Sequence, residues 1–285
     1  MTTTIFRKDK NGACIACDSR VTWVNPHGLP IKWHDSKPYR KSLTLDGVMY
    51  GFAGTNLVYR TFLENYTSKE ESDFVLDTCV QFAKNKSMQF FIIRYDGVEL
   101  KQFSYSPPNI LSPEILRISA DPAINKDCYV IGSGKYSKEY KKNRNNKNAR
   151  FPIQRIISAN STGMKKGRIT HLESKVINDV LTLDESRDAY SACQKKGGDI
   201  FTGGEVKMNR DATQQEILDQ IEVLRRMDGE AKAANAVCAS PVDARLEVKA
   251  LNSLGHYAVS PHKIEMNEKR KSLLAKMELS TEAYL

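Results

Sequence analysis

Residues 2–22 read TTTIFRKDKNGACIACDSRVT, and this stretch carries the strongest structural signal in the chain. The pair Asn11-Gly12 separates two apolar runs, which favours a β-hairpin because a type I′ turn needs positive φ at both central positions. Closing that hairpin brings Asp18 back beside Thr2. The pattern therefore predicts two antiparallel strands, with a carboxylate close to the start of the chain.

Thr2 would combine two chemical functions if it became the first residue. Methionine aminopeptidase generally removes Met1 before a small residue, and the α-amine released has a pKa of roughly 7.7–8.0. That amine can take the proton of the threonine hydroxyl directly or through one water, so one residue supplies nucleophile and base. We expect Thr2 rather than Thr3 in this role, because this processing removes only Met1. A Met-Thr start is common, so the downstream sequence has to support the assignment.

The run from Thr2 to Thr22 resembles, without a gap, the proteasome β-subunits and their bacterial relatives, the HslV peptidase and the Anbu proteins. The matching positions are Thr2-Thr3-Thr4, Gly12, Ala16, Asp18-Ser19-Arg20 and Thr22. The resemblance implies an N-terminal nucleophile (Ntn) hydrolase fold of the α+β class. This fold is a four-layer αββα sandwich, in which two antiparallel sheets lie between layers of helices.

The family also uses a lysine beside the nucleophile, and two lysines are candidates. Lys41 is the first residue of a predicted period-2 strand, 41–45, in which it shares a face with two leucines, and it stands a family-like distance before Gly51. Lys37 is followed by Pro38, which cannot donate to a central sheet ladder. We favour Lys41, and Lys37 stays open as the alternative.

Residues 51–55, GFAGT, resemble the strand-to-helix turn of the family. The resemblance makes the Gly54 N–H the donor to the oxyanion, because glycine allows the backbone to approach the substrate carbonyl closely. Val21 and Phe52 resemble positions that line the pocket for the residue before the scissile bond. A helix is expected to follow over about 56–66.

Two later motifs complete the predicted site. Ser133, in Gly-Ser-Gly at 132–134, resembles the serine that helps relay the proton of the nucleophile. Asp199 and Thr202 resemble a helix-ending motif that braces the site, although the family commonly has serine where this chain has Thr202. Between the motifs, the pattern predicts a helix over 72–85 and two strands, 88–94 and 99–104, joined at Asp96-Gly97.

Composition agrees with a globular enzyme, since 40% of the 285 residues are hydrophobic. No run of 18 apolar residues and no basic-then-apolar leader is present, so we expect a cytoplasmic protein without a membrane contact. Cys14 and Cys17 face opposite sides of a strand, which disfavours a shared metal or a disulfide. We expect neither a metal nor an organic cofactor.

The net charge of +9 is concentrated in one segment. Residues 135–168 hold eleven Lys or Arg residues against one acid, Glu139. The segment belongs to a predicted insertion at about 135–180 and is interpreted as a solvated loop, with an acidic partner or nucleic acid as the alternative.

The predicted Ntn-hydrolase domain covers 2–210, and 211–285 form a helical C-terminal extension of unknown role. Thr213 and Glu216 make a capping box that opens a helix ending near Gly229. Residues 231–239 are interpreted as a linker or short helix, and about 264–277 as an amphipathic segment.

The sequence thus predicts a threonine-type endopeptidase that cleaves peptides or unfolded proteins, with Thr2 as nucleophile. The resemblance implies a homo-oligomeric ring, and it leaves open an ATP-dependent unfoldase as partner. Two alternatives remain: a non-proteolytic Ntn amidohydrolase, and a catalytically inert relative that is a basic structural or nucleic-acid-binding protein.

Overall fold

The structure is a computed structural model. It describes residues 3–9, 12–17, 20–24, 30–35, 39–107, 115–117, 128–132, 198–200, 206–207, 211–240 and 264–282. The described strands, in chain order, are β1 (Thr3–Asp9), β2 (Gly12–Cys17), β3 (Arg20–Val24), β4 (Pro30–Asp35), β5 (Ser42–Leu45), β6 (Val48–Thr55), β7 (Phe90–Tyr95), β8 (Leu100–Ser106), β9 (Ile115–Arg117), β10 (Cys128–Gly132), β11 (Gly198–Ile200), β12 (Val206–Lys207) and β13 (Val237–Ser240). The described helices are α1 (Asn56–Asn65), α2 (Ser72–Asn85), α3 (Gln214–Ala233) and α4 (Glu268–Glu282).

The first sheet has the strand order β10-β1-β2-β11-β12. Its pairs are antiparallel except β2 with β11, which run parallel. The predicted β1–β2 hairpin is confirmed, but Asp9 pairs with Gly12, so Gly12 belongs to the strand and not to the centre of the turn.

The second sheet has the order β4-β3-β13-β6-β7-β8-β9, and β5 pairs with β6 on the same side as β13. The predicted turn between β7 and β8 is confirmed at Asp96-Gly97. Gly97 takes φ +95°, and Asp96 Oδ1 accepts hydrogen bonds from the amides of Val98 and Glu99 at 2.9 and 3.0 Å. A carboxylate that binds amides two and three residues ahead stabilises a turn of this kind.

The helices match the sequence predictions closely where local signals were strong. α1 begins at Asn56, and α2 has the predicted bounds. α3 begins with the predicted capping box, in which Thr213 Oγ1 accepts from the Glu216 amide and Glu216 Oε2 accepts from the Thr213 amide.

The predicted end of α3 near Gly229 is wrong. The helix continues to Ala233 and closes with Asn235 at φ +48°. The Asn235 amide donates to the Lys232 carbonyl and the Ala236 amide to the Ala231 carbonyl, both at 2.9 Å. These two bonds form a Schellman motif, in which asparagine is tolerated at the left-handed position.

The prediction of a linker or short helix over 231–239 is also wrong. After the Schellman motif the chain forms β13, which lies between β3 and β6 inside the second sheet. Its pairing partners are far away in the sequence, so no local sequence pattern predicted the strand.

Two hydrophobic cores define the layers. Alternate residues of β6 enter opposite cores: Met49 and Ala53 pack between the two sheets, whereas Tyr50 and Phe52 pack against the helices. All four described helices contribute buried side chains to the second of these cores. The described residues therefore form a mixed α+β fold with three successive layers, sheet on sheet on helices.

The residues after 211 share the helix-side core with the rest of the chain. Leu224 and Met227 of α3 and Leu274 and Met277 of α4 pack in one cluster with Phe62 and other residues of α1, α2 and the second sheet. The domain boundary predicted at 210 remains a prediction, and the basic segment 135–168 lies outside the described residues. Within the described ranges, none of the helices has both the length and the apolar character needed to span a bilayer.

Candidate active site

Lys41 lies immediately before β5 and is fully buried, with 0% of its surface exposed. Its carbonyl oxygen accepts a 2.7 Å hydrogen bond from the Phe52 amide, which extends the β5–β6 pairing by one residue. Its Nζ lies 5.9 Å from the centroid of the Tyr39 ring, within the range of a cation–π contact. Burying an ammonium is costly unless it is paired and hydrogen-bonded.

Gly54 stands two residues beyond Phe52 at the end of β6, where φ is +120°. A Cβ at this position would lie 2.5 Å from Phe90 Cα and 2.6 Å from the Gln89 carbonyl oxygen. Both contacts are to backbone, which cannot move aside cheaply. Glycine is therefore required here for its backbone angle and for the close approach of β7.

The start of β1 lies directly over this part of β6. Thr4 is fully buried, and its Oγ1 donates a 2.9 Å hydrogen bond to the Phe52 carbonyl oxygen. A Cβ on Gly51 would lie 2.9 Å from Thr4 Cγ2, so glycine at 51 permits the contact between the sheets. Thr4, Phe52 and Lys41 are thus joined through successive hydrogen bonds.

The ends of two further strands, β10 and β2, reach the same region. Thr3 pairs with Gly132, the last residue of β10, and Thr4 pairs with Cys17, the last residue of β2. Cys17 Sγ lies 3.6 Å from Ser42 Oγ, which links the end of β2 to the residue after Lys41. The described residues that adjoin Thr2, Asp18 and Ser133 in the sequence therefore meet beside Lys41 and Phe52.

Four predicted site residues lie outside the described residues: Thr2, Asp18, Ser133 and Thr202. Lys37, the alternative lysine, also lies outside them. Asp199 lies in β11, where its backbone pairs with Ile15 of β2 and Lys207 of β12. The expected helix end at Asp199 is therefore wrong, because residues 198–200 form a strand that extends the first sheet.

Val21 and Phe52, the predicted pocket residues, are both buried in the core between the second sheet and the helices. The Phe52 ring stacks on Tyr59 of α1, with centroids 4.6 Å apart and planes 9° apart. Their role in binding substrate remains a prediction.

β13 is the element that the sequence did not predict, and it pairs with β6 on the same side as β5. Ala239 pairs with both Thr22 of β3 and Thr55 of β6, and Ser240 pairs with Gly54. The only hint in the sequence is the short apolar run 236–239, AVCA, which follows Asn235.

A buried polar network anchors β13 to α1. The Tyr39 hydroxyl donates to Asn56 Oδ1 at 2.8 Å, and Asn56 Nδ2 donates to Cys238 Sγ at 3.2 Å. Burial raises the pKa of the Cys238 thiol above its ordinary value, which keeps it neutral at physiological pH. A neutral thiol in this position acts as a structural hydrogen-bond partner rather than as a nucleophile.

A cavity of about 250 Å³ opens beside this network, between the end of α3 and β13. Asp228, Lys232 and Cys238 are among its lining residues. Burial raises the pKa of Asp228 to about 7, while the Arg60 guanidinium, 3.0 Å away, acts in the opposite direction. Among the residues that the structure describes, no cluster of His, Cys, Asp and Glu could hold a metal ion.

Comparisons with known proteins add little to this geometry. No family model matches the chain, and no curated protein matches it. Among solved structures, a mutant of Anbu from Hyphomicrobium sp. strain MC1 is similar with a TM-score of 0.36 and 14% identity. That similarity covers 59% of this chain and 76% of the other.

Proposed function

We propose that this protein is a threonine-type peptidase of the Ntn-hydrolase class, with Thr2 as its nucleophile after removal of Met1. The observation that carries the proposal is the linkage of Thr4, Phe52 and Lys41 through two successive hydrogen bonds, Thr4 Oγ1 to Phe52 O and Phe52 N to Lys41 O. This linkage supports the proposal because it brings the start of β1 to the buried lysine and to the strand that ends at Gly54.

Chain connectivity supports the assignment of Thr2, Asp18 and Ser133 to the same site. Consecutive Cα atoms are about 3.8 Å apart, so each residue next to a described one stays near it. Thr2 is bonded to Thr3 and Ser133 to Gly132, and Thr3 pairs with Gly132. Asp18 is bonded to Cys17, which pairs with Thr4.

In the proposed reaction, Thr2 Oγ attacks the carbonyl carbon of a peptide bond while the Thr2 α-amine takes the hydroxyl proton. The Gly54 N–H would stabilise the oxyanion, as a preorganised backbone donor does in acyl transfer. The C–N bond then breaks, the leaving amine receives the proton, and water hydrolyses the resulting ester to regenerate Thr2. Lys41 and Asp18 would lower the energy of the deprotonated nucleophile.

The remaining parts of the proposal are the fourth layer and the assembly. The four-layer αββα sandwich requires helices on the outer face of the first sheet, in addition to the described layers. We further propose Ser133, Asp199 and Thr202 as supporting residues, a homo-oligomeric ring, peptides or unfolded proteins as substrates, and a cytoplasmic location. An ATP-dependent unfoldase and a partner for the basic segment 135–168 remain proposals of the same kind.

Intact mass spectrometry with and without an epoxyketone probe tests the proposal. We expect a native mass that lacks Met1 and, with the probe, an increase equal to the whole probe mass, because epoxide opening expels no group. Thr2→Ala should abolish labelling, whereas Thr3→Ala, one residue along, should keep it. A native protein that retains Met1, or labelling that survives Thr2→Ala, would contradict the mechanism.

Three further measurements separate the alternatives. Turnover of a fluorogenic peptide favours the peptidase, whereas hydrolysis restricted to a small amide would favour the non-proteolytic amidohydrolase. Lys41→Met should abolish turnover while the matched Lys37→Met keeps it; the reverse result would transfer the role to Lys37. Strong salt-dependent DNA binding without probe labelling would support the inert basic relative.

A further inference from the structure

β13 fills the space between β3 and β6, which we call the slot. Ala239 pairs with a residue on each side, Thr22 and Thr55, and Ser240 pairs with Gly54. Neighbouring strands lie about 4.8 Å apart, so the slot is about 10 Å wide and accommodates one extended chain. Without β13, β3 and β6 would face each other with unpaired backbone groups along both walls.

The amide of Gly54 points into the slot. The Phe52 amide donates to Lys41 on the β5 side of β6, and the Thr55 amide donates to Gln89 on the β7 side. Amides alternate along a strand, so Gly54 directs its N–H to the same side as Phe52. Because β5 and β13 share that side, the donor proposed for the oxyanion faces β13.

The attachment of β13 is limited in extent. The strand has four residues, Val237 is 45% exposed, and the cavity of about 250 Å³ borders it at the end of α3. The turn before it is set by Asn235 at φ +48°. Among its described side chains, Cys238 is buried and accepts the hydrogen bond from Asn56.

We propose that β13 is an inhibitory strand of the protein itself, which holds the slot closed, and that an extended peptide gains access to Gly54 by replacing it. The inference rests on the proposed function, because it assumes that the Gly54 N–H faces the reacting carbonyl. Exposed strand edges bind extended peptides through backbone hydrogen bonds, and this is the chemistry that β13 satisfies internally. The apparent affinity for peptide falls in proportion to the fraction of molecules with the slot open.

An opening variant provides the first test. Ala239→Pro removes an amide donor from a strand that is paired on both sides, while Val237→Thr, at the exposed end of β13, is the control that keeps it. We expect Ala239→Pro to raise kcat/KM for a fluorogenic peptide at least about fivefold, the effect of losing roughly one hydrogen bond. A β-lactone probe without a peptide portion should still label Thr2 in Ala239→Pro, which shows that the nucleophile is intact in the variant.

A locking variant provides the second test, and it decides the case if Ala239→Pro does not fold. Thr22 and Ala239 are antiparallel partners, whose Cα separation of about 4.5–5.5 Å falls in the range for a disulfide. We expect Thr22→Cys with Ala239→Cys to lose peptide turnover at least about tenfold when oxidised and to regain it with dithiothreitol. The two single cysteine variants under the same conditions are the controls.

The outcomes separate the inference from the function on which it rests. If the β-lactone labels no form of the protein, wild type included, the proposed function fails. If Thr2 is labelled but peptide turnover is the same in the oxidised and reduced locking variant, β13 does not control access and the inference is overturned. Labelling with unchanged turnover in a folded Ala239→Pro variant overturns it as well.

Discussion

Thr4 Oγ1 and the Phe52 carbonyl oxygen form a 2.9 Å hydrogen bond in the interior, and it joins the first strand of one sheet to the central strand of the other. The bond fixes where β1 begins relative to the strand that carries Gly54. In the proposed enzyme, this relation determines the distance between the nucleophile and the oxyanion donor.

Thr4→Val should therefore destabilise the protein and lower its activity. Valine keeps the shape of threonine but removes the donor to the Phe52 carbonyl, and leaving a buried acceptor without its partner costs about 1–3 kcal/mol. Thr4→Ser keeps the hydroxyl and loses one methyl group, so it is the matched control, with a cost of about 1 kcal/mol. Urea denaturation measures the stabilities, and a valine variant as stable as wild type would show that the bond contributes nothing.

Gly54→Ala should be much more damaging than Gly47→Ala. Both glycines have positive φ, +120° and +73°, but a Cβ on Gly47 meets no atom within 4 Å, whereas one on Gly54 meets the backbone of Gln89 and Phe90. We expect about 1–2 kcal/mol for Gly47→Ala, the ordinary cost of the backbone angle. Gly54→Ala adds a steric overlap and should cost more than about 3 kcal/mol or prevent folding. Similar melting temperatures for the two variants would show that close packing against the backbone adds no cost at Gly54 beyond that of its positive φ.

Local signals in the sequence predicted local structure well. α2 has the predicted bounds, and α3 starts at the capping box of Thr213 and Glu216, because both depend on neighbouring residues. The period-2 pattern of residues 41–45 predicted a strand there, and β5 begins one residue after Lys41, at Ser42. The end of α3 was predicted wrongly, because Gly229 suggested a stop while the Schellman motif at Asn235 provides it.

Structure that depends on distant partners was not predicted. β13 is a strand because Ala239 meets Thr22 and Thr55, which no pattern within 231–240 encodes. Asp199 lies in a strand because β11 pairs in parallel with β2, whereas the family resemblance suggested a helix end. Non-local sheet pairing overrides local preference in both cases.

Gly229→Ala should stabilise the protein. Gly229 lies inside α3, and a Cβ there would meet no atom within 4 Å. Alanine loses less backbone freedom on folding and has the higher helix propensity, so we expect a gain of about 0.5–1 kcal/mol. Asn235→Ala, at the left-handed position after the same helix, should instead destabilise it by about 1 kcal/mol. Thermal unfolding of both variants checks the prediction, and a loss of stability in Gly229→Ala would show that the helix ends earlier.

Met277→Ala should test whether α4 is part of the core. Met277 is fully buried against α2, whereas Leu279 on the same helix is 69% exposed. Truncating a buried methionine costs about 2–5 kcal/mol, while an exposed substitution normally changes stability by less than about 0.5 kcal/mol. Urea midpoints that shift equally for Met277→Ala and Leu279→Ala would mean that α4 does not contribute its buried face.

Titration of Asp228 should make the free energy of unfolding depend on pH, and Asp228→Asn should remove this dependence. Burial raises its pKa from 3.8 to about 7, against the opposing effect of Arg60 and with a further increase from Glu64. The folded state then binds a proton that the unfolded state has lost, so the contribution to stability is fully present below pH 3.8 and disappears as the pH rises through about 7. Asp228→Asn has no such proton to lose and keeps an oxygen for Arg60.

We expect the difference in unfolding free energy between wild type and Asp228→Asn to change by on the order of 2–4 kcal/mol from pH 4 to pH 8, with wild type becoming less stable relative to the variant. Asp77, whose pKa burial raises to about 6, titrates in the same window in both proteins and cancels from the difference. A difference that stays constant with pH would mean that Asp228 is ionised throughout and that its pair with Arg60 outweighs its burial.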